Sequence, residues 1–105
     1  MSRRQPFELW RETRRIVWNR DGKRCQSPTG KHKAYCLGKD KLLLREVHID
    51  HIKPLSRGCT NELRNLRTLC AVCHALRADN NHRALTGKLL MAGKLPPDWR
   101  RFTWE

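Results

Sequence analysis

Residues 48–77 read HIDHIKPLSRGCTNELRNLRTLCAVCHALR. This run places a carboxylate and two imidazoles, Asp50, His51 and His74, close to a thiol pair, Cys70 and Cys73. Asp50 and His51 are adjacent at the end of a stretch that reads as a strand, so their side chains leave on opposite faces. One can hold a metal while the other meets water or phosphate from a different side. Phosphodiester hydrolysis needs that division, with a base activating water on one side of phosphorus and a cation at the leaving oxygen on the other. Asp50 with His74 makes a mixed oxygen and nitrogen half-shell, suited to Mg²⁺, Mn²⁺ or a later transition metal. His51, with an unperturbed pKa of about 6.5, is a workable general base near neutral pH. Singly, each of these residues would be structural; their combination in a basic chain carries the chemical reading.

The cysteines suggest a second metal. Cys70-x-x-Cys73 is one half of a zinc knuckle, and Cys25 and Cys36 are candidates for the other half. Four thiolates around Zn²⁺ give a closed tetrahedral structural site. Ten residues separate Cys25 from Cys36, and His32 inside that loop could replace one cysteine. Cys59 is left over as a free thiol. On a helix, neighbours point about 100° apart, so Cys73 can serve the zinc while His74 points elsewhere. Arg77, at i+3, shares His74's side.

These groups need elements to position them. The spacing of Leu9, Trp10, Thr13, Ile16 and Val17 predicts a helix over 7–20 with that stripe in the core, Pro6 before it and Gly22 just beyond its end. Residues 24–40 read as a loop pinned by metal, and 41–52 as one or two strands. Residues 55–68 read as a loop with one short turn, 69–80 as a helix, and 82–92 as another before Pro96-Pro97. The aromatic tail, with Trp99, Phe102 and Trp104, is expected to fold back onto the domain.

The 105 residues make one domain by length, with a motif core at about 20–78 and a C-terminal helix and tail at 79–105. Lys and Arg number 23 against 10 acids, for a net charge of +13. Such an excess, spread along the chain, implies a polyanion partner, with nucleic acid the default. Membrane binding is disfavoured, because no long helix pairs a Lys-rich face with a broad apolar one. MSRRQPFELW carries no apolar signal segment. The expected setting is intracellular, cytoplasmic in a bacterial or phage-encoded context, where metal ligation is a better use of thiols than disulfides.

The order Cys…Cys…Asp-His-Ile-x-Pro…Gly-x-x-Asn…Asn-Leu…Leu-Cys-x-x-Cys-His resembles the zinc-containing branch of the HNH endonucleases. It is carried by Cys25 and Cys36, DHIKP at 50–54, GCTNELRNL at 58–66 and LCAVCH at 69–74. RDGKRCQ at 20–26 is similar to the family's lead-in. The resemblance implies a small α+β fold, a ββα-metal motif with flanking helices stapled by structural zinc. It implies His51 as general base, Asp50 and His74 as ligands of one divalent cation, and Asn65 orienting the base or its loop. It also implies 5′-phosphate and 3′-hydroxyl ends. His48 has no role in the resemblance; on a regular strand it shares Asp50's face. The first cysteine pair is wider than usual, Cys59 stands where glycine is common, and no histidine follows His74 by four. The expected function is a metal-dependent DNA endonuclease, with Lys53, Arg57, Arg64, Arg67 and Arg77 as phosphate contacts. The alternative is a non-catalytic zinc-containing nucleic-acid-binding module.

Overall fold

The computed structural model describes residues 6–53, 62–78 and 83–104. Helix α1 spans Phe7–Arg20, as the spacing predicts. Its buried arc is rotated from the expected stripe: Thr13 and Val17 are buried and Trp10, Arg14 and Trp18 half-buried, while Leu9 and Ile16 lie 52% and 43% exposed. Positions 10, 13, 14, 17 and 18 still share one helical face. Polar reach explains the rotation. Arg14 Nη2 donates to the carbonyls of Leu44 and Val47, both at 3.0 Å, and the Trp18 indole donates to Leu42 at 2.9 Å. Hydropathy spacing alone does not register those bonds. Gly22 leaves the helix at φ 67°, a left-handed conformation that glycine adopts without a Cβ penalty.

Two short strands follow, β1 (His48–His51) and β2 (Leu66–Leu69), paired antiparallel with Asp50 opposite Arg67 and His51 opposite Leu66. Only the end of the predicted 41–52 run is strand, and Leu44–Glu46 is a 3₁₀ turn. The second strand lies where a loop was expected. Four residues, one of them an arginine bonded across the pair, are too few to display period-two alternation. The register puts His48 and Asp50 on one face and Ile49 and His51 on the other. Helix α1 packs on β2, and the short helix α2 (Ala71–Ala75) packs on β1.

The outer edge of β2 is closed by Arg20 at the end of α1, by the segment after it and by the turn that precedes β2. Leu66 N–H donates to Leu63, and the Leu66 carbonyl accepts Arg20 Nη2 at 2.6 Å. Thr68 N–H donates to Asp21 Oδ2 at 2.9 Å, and its carbonyl accepts Gln26 N–H at 2.8 Å. The segment that resembles a family lead-in therefore caps the strand before delivering Cys25.

Helix α2 is shorter than the predicted 69–80. Cys70 caps its start through Sγ, which accepts Cys73 N–H at 3.3 Å. After Leu76 the chain turns to meet the C-terminal tail: Trp104 N–H donates to Leu76 at 3.0 Å, and Ala78 N–H donates to Trp104 at 2.7 Å. Helix α3 (Arg83–Met91) and a 3₁₀ turn at Trp99–Phe102 precede that contact. Leu66, Leu69, Val72 and Leu76 form the driest part of the core, joined by Leu89 and Leu95 from the C-terminal quarter. No helix among the described residues is long and apolar enough to cross a membrane. The expectation of an α+β fold is met, with one two-stranded sheet and three α-helices among the described residues.

Trp104 folds back as expected. It is buried, its indole donates to Cys73 at 2.8 Å, and its ring stacks on His32 with centroids 5.0 Å apart. Trp104→Ala is expected to cost about 3–5 kcal/mol, the usual range for a buried large aromatic. Denaturant midpoints of parent and variant check this; unchanged midpoints would mean the tail contributes no packing.

Candidate functional site

The sulfur atoms of Cys25, Cys36, Cys70 and Cys73 all lie within 4.8 Å of one another. Four sulfurs bonded to zinc at about 2.3 Å sit about 3.8 Å apart at a tetrahedron's edge. Cys36 and Cys70 are 3.9 Å apart, so the cluster fits a structural zinc ion. The wide Cys25–Cys36 spacing is absorbed by a 3₁₀ turn, Lys31–Tyr35, and by Cys25 N–H donating to Gly38 at 3.1 Å. A Cβ at Gly38 would lie 2.5 Å from Cys25 Cβ, so only glycine fits that approach. Backbone N–H groups of Leu37 and Gly38 donate to Cys70 and Cys36 sulfurs, each at 3.4 Å, polarity suited to thiolates. His32 is not in the cluster; it is buried against Trp104, with its pKa lowered chiefly by burial. Hydrogen bonds from the Cys70 and Cys73 thiols hold Cys25 as a thiolate, far below the thiol range. In return Cys70 is pushed up to about 12 and Cys73 higher still, first by the bond to Cys25 and further by burial.

On the far side of α2, beside β1, lies the second group. Asp50 is 3% exposed, and its Oδ2 accepts Arg67 Nε at 2.9 Å and Arg77 Nη1 at 2.6 Å. Its Oδ1 faces His74 Nε2 at 3.9 Å. Two donors on one cation at about 2.1 Å lie about 3.0 Å apart when adjacent and about 4.2 Å when opposite. At 3.9 Å the pair stands between those two separations, so a cation held by both would need a small shift of either side chain. His74 Nδ1 lies 2.9 Å from His48 Nδ1.

His51 leaves the opposite face. Its ring lies parallel to Trp10 of α1, 4° between planes and 6.0 Å between centroids. Asn65 secures the chain just beyond: Oδ1 accepts Lys53 N–H at 2.9 Å, Nδ2 donates to Lys53 at 3.2 Å, and its carbonyl accepts Ile52 N–H at 2.8 Å. An Asn amide can bond both ways like a strand neighbour.

The basic residues divide. Lys53 and Arg64 are exposed, Arg64 pairing with Glu62 at 2.7 Å. Arg67 is mostly covered, with its guanidinium on Asp50 and 4.9 Å from the Trp104 ring centroid. Arg77, expected to reach phosphate, is 4% exposed and turns inward, donating also to the carbonyls of His51 and Ile52 at 2.6 Å. Burial among these acceptors explains the departure: position i+3 from His74 directs it at β1. Arg57 and Cys59 lie outside the described residues. Sequence reasoning missed the pairing of His48 with His74, the Trp10–His51 stack and the double arginine hold on Asp50. The shared face of His48 and Asp50 was the one available signal.

The family model described as HNH endonuclease matches residues 24–79. No curated protein and no solved structure matches the chain.

Proposed function

The chain belongs to the HNH endonuclease family, and on that premise we propose that it is a metal-dependent DNA endonuclease that hydrolyses phosphodiester bonds. The observation that carries this reading is the 3.9 Å approach of Asp50 Oδ1 to His74 Nε2, beside a histidine on the opposite strand face. A divalent cation held by Asp50 and His74, Mg²⁺ or Mn²⁺ or another transition metal, would supply charge stabilisation at the scissile phosphate and leaving oxygen. His51 takes the proton from the attacking water, and Trp10 holds its ring by stacking. Asn65 holds Ile52 and Lys53, and so the chain that follows His51. Arg67 and Arg77 fix Asp50 through Oδ2 and leave Oδ1 toward His74. Lys53 and Arg64 offer exposed charge to the phosphate backbone, and Arg57, outside the described residues, is a further proposed contact. The four cysteines hold structural zinc and tie α2, which carries His74, to the 25–38 segment. Products carry 5′-phosphate and 3′-hydroxyl ends.

One observation favours the rival reading, a non-catalytic zinc-containing nucleic-acid-binding module. Asp50 already has two cationic partners, enough for a purely structural acid. Supercoiled plasmid incubated with Mg²⁺ or Mn²⁺ decides the matter. Nicking that disappears with EDTA while DNA binding at low salt persists is the expected result. DNA binding without nicking under every metal would leave the rival standing.

A further inference from the structure

His48 precedes Asp50 by two residues, so the strand pleat puts both on one face. Its Nδ1 meets His74 Nδ1 at 2.9 Å, with 59° between the rings. Where no cation bridges them, two imidazole nitrogens at that distance share one proton: with none, lone pairs oppose, and with two, N–H groups collide. His74 Nε2, the other nitrogen, faces Asp50 Oδ1 at 3.9 Å, too long for a hydrogen bond. A cation there requires Nε2 to be bare, so the proton of His74 belongs on Nδ1 and is donated to His48. His48 sits behind His74 and not beside it. Among the described residues, only the four cysteines gather three or more ligand atoms within 4.8 Å.

We infer that His48 is a positioning residue: its Nδ1 accepts the Nδ1–H of His74 and so fixes the tautomer and ring angle that present Nε2 beside Asp50. This rests on the reading of Asp50 and His74 as the divalent-cation site. It matters here because Ala78 stands one turn after His74, so α2 offers that cation one imidazole, whose orientation must be secured from β1.

The test uses the whole chain loaded with structural zinc. NMR of the imidazole nitrogens at mildly alkaline pH, with no other divalent ion, should show the His74 proton on Nδ1. In His48→Ala the tautomer should become mixed. Calorimetric Mn²⁺ affinity should fall about 10–100-fold in His48→Ala, the usual cost of losing such a support. His48→Asn, whose Oδ1 can replace Nδ1 as acceptor, should recover most of the loss. Zinc content and melting temperature confirm that each variant is folded. A His74 proton on Nε2 in the parent would overturn the inference without reference to any variant. So would His48→Ala binding Mn²⁺ like the parent while His74→Ala does not. Absence of Mn²⁺ binding by the zinc-loaded parent would instead remove the cation site, and the inference with it.

Discussion

Replacing His51 by alanine should lower plasmid nicking by a factor on the order of 10² to 10⁴, the usual worth of a general base. Its affinity for Mn²⁺ and for DNA should hardly change. The reason is positional: His51 projects from the α1 face of the sheet, whereas Asp50 and His74 meet on the α2 face. His74→Ala should lose Mn²⁺, with activity partly restored at high concentration of the ion. Asp50 calls for a gentler substitution. Alanine there would strand Arg67 and Arg77 without their carboxylate, and breaking such a buried pair costs about 3–5 kcal/mol. Asp50→Asn keeps the shape and should show weakened metal binding in a folded protein. Metal titration calorimetry beside the nicking assay separates the roles. If His51→Ala loses Mn²⁺ as badly as His74→Ala, His51 is a ligand and the division of labour is wrong. If all three variants nick like the parent, the nuclease reading fails.

The second large effect concerns the thiolate cluster. Cys70→Ser or Cys73→Ser should abolish tight zinc binding and with it the cooperative fold, because binding free energy at such sites is folding free energy. These two cysteines flank the start of α2, and Cys73 also carries the carbonyl that receives Trp104. Loss of the ion therefore loosens the helix, the tail and His74 together. Acid should do the same by another route. The metal-free Cys70 and Cys73 hold their protons far above neutrality, so zinc must displace them, and each fall in pH favours the proton. Zinc should leave as pH falls, and circular dichroism should follow it. Cys59→Ser is the control and should keep its zinc. A chelated, zinc-free parent melting at the same temperature as the loaded one would refute this account.

Much of the site was visible in the types and spacing of residues. C-x-x-C signals zinc because two thiolates at a helix start converge on one ion, and Asp-His at a strand end divides its side chains between faces. What could not be read depends on contacts between distant segments. β2 carries no legible pattern because Arg67, its exception, is held by Asp50 seventeen positions earlier in the chain. Arg77 looked like a phosphate contact because sequence shows charge and not direction. The end of α2 is set by Trp104, beyond any local window. His48 acquires meaning only when α2 brings His74 against it. The stripe on α1 was misplaced by a part-turn, since Arg14 and Trp18 turn inward for carbonyls that hydropathy cannot see.

The capped edge of β2 bears on how two copies of this chain could cooperate. A two-stranded ribbon with an open flank invites a third strand, from another copy or from an extended peptide, by main-chain pairing. Here the outward N–H and C=O groups of Leu66 and Thr68 are all taken by Leu63, Arg20, Asp21 and Gln26. Strand addition along that flank would have to evict the segment that also presents Cys25 to the zinc cluster. Dimerisation by sheet extension there is therefore opposed by the same bonds that assemble the protein. On the proposed nuclease reading, a double-strand break would then come from two separate visits, or from copies brought together through another surface.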